Sequence, residues 1–347
     1  MTEVAVAIFH RDSDADDGPL VQATAAARAT LAEWHLAGFL AAGASCAEIV
    51  TGPPDDRSFG HRLSSVVAAL PADGGLVILG SGAAPLITAA DRRAFVDAAR
   101  TSGALANNRY SADIVAVARA RATLDGVGDL ATDNALPRWL AETAGVEIRD
   151  LRHRWRLGID IDGPLDLVLL GGAWPARLTS ADRTPVEARI ARFRAVAANS
   201  RAELVVVGRT SATILGWLER TTAARTRAIV EERGLRTAVP GQRPPASLLG
   251  ALLDRDGPAS LGTQLARLGD GAIIDSRVLL AHRLGADERR WPAAEDRFAS
   301  DLLLPERVAD PWLRDLTAAA VDAPIPILLG GHTLVGPGLR LVLGPHR

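Results

Sequence analysis

The chain has 347 residues, 48% hydrophobic and 23% charged, with a formal net charge of −2. That composition fits one large or two ordinary globular domains, and it excludes disorder, collagen-like repeats and a disulfide scaffold. There is no lysine, so the 39 basic residues are all arginine, which rules out a Walker lysine, a Schiff-base lysine and lysine phosphate clamps.

Val4–His10 is a short apolar run that suits a central parallel strand. Leu20–Ala42 carries apolar residues at helical spacing. Ala47–Thr51 reads as a strand closed by Gly52-Pro53-Pro54, Gly60–Leu70 as a helix, and Leu76–Gly80 as the clearest strand. Ala89–Ser102 reads as a helix capped by Thr88, with Asp91 in its first turn. Ile114–Ala118 is another apolar run, and Leu136–Ala144 is a helix stopped by Gly145. Leu157–Ile161 and Leu165–Leu170 flank Asp162-Gly163-Pro164, the second run being open between strand and helix. This alternation predicts an α/β fold with a doubly wound, mostly parallel sheet.

The loop Ala173–Pro185 is the candidate boundary, giving domains of 1–175 and 180–347. Beyond it, Pro185–Asn199 reads as a helix, Glu203–Gly208 as a strand and Ser211–Gly234 as one long helix. Gln242–Pro245 reads as a linker, and Leu248–Leu253, Leu261–Leu268 and Asp310–Ala320 as helices. Ala272–Arg283 is apolar with polar insertions, and Ile325–Leu343 carries two strand-like runs. The second half is therefore expected to be a largely helical accessory domain packing on the first.

Four segments of the first half could carry chemistry. Gly80-Ser81-Gly82 with Pro85 follows a strand, where backbone amides can hold phosphate oxygens; a tight turn needing glycine is the plainer reading. Asn107, Asn108, Arg109 and Ser111 crowd one loop, suited to a base, a sugar and a phosphate, or to turn formation. Asp160 and Asp162, two apart at a strand end, would point the same way and could hold Mg²⁺ with a nucleotide's phosphates; the alternative is a turn and cap opening a helix. Asp133 or Asn134 reads mainly as a helix cap. In the second half Arg209, Asp275, Arg277 and His332 are accessory candidates, with salt bridges and loop turns as the plainer account.

Cys46, the single cysteine, lies in the apolar run Ala41–Val50 and reads as a buried structural thiol. The near-neutral charge gives no field for nucleic acid. The acidic N-terminal stretch does not look like a signal peptide, and no run of about 18 apolar residues occurs, so a cytoplasmic protein without a membrane span is expected, with self-association open.

Two stretches carry a resemblance. Leu76–Phe95 (LVILGSGAAPLITAADRRAF) and Arg156–Leu170 (RLGIDIDGPLDLVLL) are similar to the Gly-Ser-Asp-x-Pro-Leu and Asp-x-Asp-x-Pro-x-Asp-Leu stretches of the GT-A-like nucleotidyltransferase superfamily. Within it the first half most resembles the cofactor guanylyltransferases of the phospholactate and molybdenum-cofactor type. The resemblance implies a nucleotide-diphospho-sugar transferase-like fold over residues 4–170 and Mg²⁺-dependent nucleotidyl transfer from a nucleoside triphosphate to a small phosphorylated acceptor. Ser81, Pro85, Asp160 and Asp162 match its pattern. Gly82 stands where the family has a metal-binding aspartate, and an acidic stretch, Arg11–Gly18, stands where it has a basic glycine-rich loop. Those departures motivate a second hypothesis, a catalytically silent nucleotide-binding or assembly module on the same fold; a glycosyltransferase using a nucleotide-sugar is a third.

Overall fold

Runs of aliphatic residues buried on both faces form the central strands, as expected where helices cover both sides of a sheet. The computed structural model describes residues 2–51, 57–101, 103–171, 174, 178–235 and 243–344. Its strands are β1 (Val4–Phe9), β2 (Cys46–Val50), β3 (Gly75–Gly80), β4 (Ala104–Ala106), β5 (Ile114–Val117), β6 (Ile148–Asp150), β7 (Glu203–Gly208), β8 (Arg225–Val230), β9 (Gly271–Asp275) and β10 (Ile327–Gly330). The described chain divides into two compact units, residues 2–13 with 25–161, and residues 14–24 with 162–235 and 243–344. The division falls ahead of the loop that the sequence suggested.

The first unit holds a six-stranded sheet in the order β2-β1-β3-β5-β4-β6. It is mostly parallel, with β5 antiparallel to both neighbours. Side-chain alternation sends Val4, Val6 and Ile8 into one core with Phe39 and Phe95, while Ala7, Leu76 and Ile78 join the other with Leu63 and Leu140. Both faces are therefore covered, which is the doubly wound arrangement. β4 and β6, three residues each, carry no periodic signal and were not foreseen.

The helix Ala89–Arg100 begins as the sequence predicts. Thr88 Oγ1 accepts from the Asp91 amide at 3.1 Å, and Asp91 Oδ2 accepts from the Thr88 amide at 3.0 Å. Thr88→Ala should cost about 1 kcal/mol, read as a lower denaturation midpoint, and Thr88→Ser should restore it.

The second unit holds a four-stranded, wholly parallel sheet in the order β10-β9-β7-β8. Its core joins Leu204, Val206 and Ile273 to Phe193 of the helix Ser180–Ala197. Several expectations are corrected here. The long helix expected over 211–234 is a helix, Ala212–Thr221, followed by strand β8. β8 is an edge strand, so half its residues are polar and both its arginines are exposed; Arg225 and Arg227 flank Glu203 of β7 at 3.3 and 2.9 Å. Residues 164–169, left open between strand and helix, form a helix. Residues 180–185, expected in a loop, are helical, because Thr179 and Asp182 make a capping box ahead of Pro185. The second of the two strand-like runs at 325–343 is helical. Cys46 is exposed on edge strand β2 instead of buried. The turn at 52–54 lies outside the described residues. No helix among the described residues is long and apolar enough to cross a membrane.

Candidate functional site

In the first unit β2 lies on one side of β1 and β3 on the other. The carboxyl ends of β1 and β3 are thus a switch point, where open α/β sheets collect ligands. Phe9 and Gly80 pair there, so His10 and Ser81 follow side by side. His10 Nδ1 lies 2.9 Å from Ser81 Oγ, and its Nε2 lies 3.1 Å from Asp12 Oδ1. His10 and Asp12 were not singled out in the sequence; the only clue was a histidine ending a strand. The small cavity at this edge, lined by Phe9, Phe59, Gly80, Asp113 and Asp133 among others, measures about 20 Å³, room for a single water.

The two stretches that carry the resemblance meet at this edge. Ala83 and Asp160 form an antiparallel bridge, the Ala84 amide donates to Ile159 O at 2.9 Å, and the Ile161 amide to Gly82 O at 3.0 Å. Pro85 is buried, and Ala84 sits in the left-handed region at φ 44°, backbone strain of the kind that gathers at functional loops. A Cβ at Gly82 would lie 2.7 Å from Asp160 Oδ1, 2.9 Å from Ile161 O and 3.1 Å from Arg28 Nε. The place of the expected metal carboxylate is therefore already filled. Arg28, whose Nε donates to Ile161 O at 2.6 Å, supplies a cation where a metal would otherwise be needed. Among the described residues no group of three histidine, cysteine or carboxylate side chains could hold a metal. The groups nearest a Cβ at Gly82 are thus one carboxylate, Asp160, the Ile161 carbonyl and the Arg28 guanidinium.

Asp160 and Asp162 do not share a strand. Asp160 occupies an isolated bridge in the first unit; Asp162 is exposed and belongs to the second. The amides of Asp162 and Gly163 both donate to Asp166 Oδ2 at 2.9 Å, so the helix entry redirects the chain. Asp166 is pushed up to about 8, first by burial and then by the Asp162 charge.

The polar loop before β5 mostly builds itself. Asn107, 3% exposed, accepts from the Asp113 and Ile114 amides and donates to Asp113 Oδ2 and Leu157 O. Both amide hydrogens and the carbonyl are thereby committed inside the protein. Asn108 accepts from the Tyr110 amide, and Ser111 pairs with Asn134. Arg109 is exposed and lies 5.5 Å from the Tyr110 ring. Neither Asp133 nor Asn134 caps the helix Leu136–Glu142, whose N-cap is Ala135; Asp133 accepts from the Asn134 amide instead.

The four accessory candidates of the second half come together in the second unit. β7, β9 and β10 end side by side, at Gly208, Asp275 and Gly330. Arg209 grips Asp275 through Nε–Oδ2 at 2.6 Å and Nη2–Oδ1 at 3.1 Å. Arg277 grips Asp301 through Nη1–Oδ1 at 2.9 Å and Nη2–Oδ2 at 2.5 Å, and also donates to Ser276. Burial pushes Asp275 up, but the charge and hydrogen bonds of Arg209 outweigh it and hold the carboxyl below its usual range. Burial likewise opposes the charge on Arg277, and Asp301 outweighs it. His332 is exposed and has no hydrogen-bond partner among the described residues. The protein packed around the ring, and next the Arg209 charge, lower its pKa. Salt bridges were the expected plainer account of these residues, and they are present; His332 stands outside them.

Comparison with known protein families, with curated proteins and with solved structures finds no match to this chain.

Proposed function

We propose that the first unit is a nucleotidyltransferase-like module that binds a nucleotide or nucleotide-sugar at the β1–β3 edge without Mg²⁺-dependent transfer. The observation that carries this is the crowding at Gly82, where Asp160 and Arg28 already occupy the space of a second metal carboxylate. The adjacency of residues 80–84 to residues 159–161 supports the fold reading. Arg28 offers the positive charge that a phosphate group needs in a chain without lysine.

Thermal unfolding with GTP, CTP and a nucleotide-sugar, each with and without Mg²⁺, tests it. A ligand at about 100 times its Kd adds about 2.7 kcal/mol, and the expected gain is the same in both conditions. No gain with any of these ligands would sink the proposal. A gain that requires Mg²⁺ would return the reading to nucleotidyl or glycosyl transfer onto a small acceptor, which the same adjacency of motifs favours.

A further inference from the structure

The second unit carries its own switch point, between β7 and β9, since β8 lies on one side of β7 and β9 on the other. Gly208 ends β7 at φ 120°, and a Cβ there would stand 2.3 Å from Asp275 Cβ. Only glycine lets the chain pass over Asp275 and send Arg209 back onto it. We propose that this strand-end face binds the oxyanion group of a phosphorylated small molecule, between Arg209, His332 and the start of the helix Ser276–Leu284.

Four independent features point to that ligand. Arg209 spends Nε and Nη2 on Asp275, leaving Nη1 with no partner among the described residues. Thr210 is fully buried, and its hydroxyl has no partner among the described residues, an unmet group in the loop that holds Arg209. Asp275 occupies the N-cap of the helix Ser276–Leu284 but makes no side-chain cap bond. Its carboxylate is turned to Arg209, so the helix start keeps amide donors for an anion. His332, at the end of the neighbouring strand, presents an accessible ring with no partner among the described residues. The two bidentate pairs fix this frame, so a ligand would meet positions set in advance.

The charged groups that act on His332 are Arg209, Asp275, Asp162 and Arg233. Without a ligand, the packing around the ring and the Arg209 charge disfavour the imidazolium. An oxyanion docked beside it would offset Arg209 and favour the imidazolium, raising the bound-state pKa above the free value. Binding therefore gains from low pH, and the gain fades as pH rises through the bound-state value.

Sulfate is the probe, because it stays a dianion across the range in which phosphate titrates and carries neither base nor sugar. Calorimetric titration of the full chain should show sulfate affinity rising from about pH 8 to about pH 5.5. His332→Gln alters an exposed side chain, so its denaturation midpoint should match wild type. Its sulfate affinity at the acid end should fall about tenfold, the loss of one charge-assisted hydrogen bond, and its pH dependence should flatten. Compared at about pH 7, where both are dianions, malonate, matched in charge but not in shape, should bind more weakly than sulfate. The proposal is overturned if sulfate does not bind, if malonate binds as well, or if His332→Gln keeps both the affinity and the pH slope.

Discussion

Arg209→Met should destabilise the second unit by about 3–5 kcal/mol, because it strands a buried carboxylate. Asp275 is 1% exposed and Arg209 6%. Their two hydrogen bonds, at 2.6 and 3.1 Å, tie the end of β7 to the end of β9. Arg277 also lowers Asp275, though less than Arg209 does, and does not bond to it directly. The pH dependence should reverse sign. In wild type Asp275 lies below its usual range, so its contribution is present above the unfolded-state value and is lost as pH falls through the folded one. Once Arg209 is gone, burial dominates and the carboxyl rises above its usual range. The variant's stability should then fall as pH rises through the new folded value. Urea midpoints at about pH 3, pH 5 and pH 7 would show this: wild type gains on going from pH 3 to pH 5 and keeps that gain at pH 7, whereas the variant loses between pH 5 and pH 7. The double variant Arg209→Met/Asp275→Leu should recover most of the loss, because an apolar pair leaves no buried charge. Equal losses in the single and double variants would mean that packing, not charge, holds the strand ends together.

The strands that proved legible were those whose chemistry matched one environment throughout. Leu76–Leu79 and Leu204–Val207 are continuous aliphatic runs, and both lie in central strands. β8 was hidden because an edge strand is half solvated, and Arg225-Thr226-Arg227 looks like a polar helix face until β7 is known to pair with it. Residues 164–169 were ambiguous because a short, mostly apolar run fits either period; the Pro164 start and the Asp166 cap decide for helix. At the candidate sites the residue types were visible and their partners were not. Asn107 looked like a ligand reader because a fully committed amide and an open one are identical in sequence. The pairing of Arg209 with Asp275 spans 66 positions, and what brings them together is strand order, which no local pattern records. The departure at Gly82 was plain from the sequence, but its cause, the Asp160 and Arg28 atoms around it, needed the tertiary contact.

Gly82→Asp is the sharpest test of the first unit, because it restores the carboxylate that the resemblance leads one to expect. If the module were a metal centre lacking one ligand, the variant should gain Mg²⁺-dependent stability. The packing leads to the opposite expectation. The new Cβ alone would come 2.7 Å from Asp160 Oδ1 and 2.9 Å from Ile161 O. The backbone oxygen cannot swing away, since the Ile161 amide and Gly82 O are themselves bonded at 3.0 Å. Overpacking of this kind costs about 1–3 kcal/mol, so Gly82→Ala should already be destabilised by that amount. The aspartate adds a second negative charge at a buried position beside Asp160, which disfavours ionisation of both groups. A total loss of about 3 kcal/mol or more is expected for Gly82→Asp, without rescue by Mg²⁺. Adding Asp160→Ala removes the closest contact and the like charge, so it should return part of the loss while Ile161 O continues to resist. Denaturation midpoints with and without Mg²⁺ for the three variants separate these terms. A Gly82→Asp protein of wild-type stability that is further stabilised by Mg²⁺ would show that the edge can open to admit a metal, and the transfer reading would then displace the silent module.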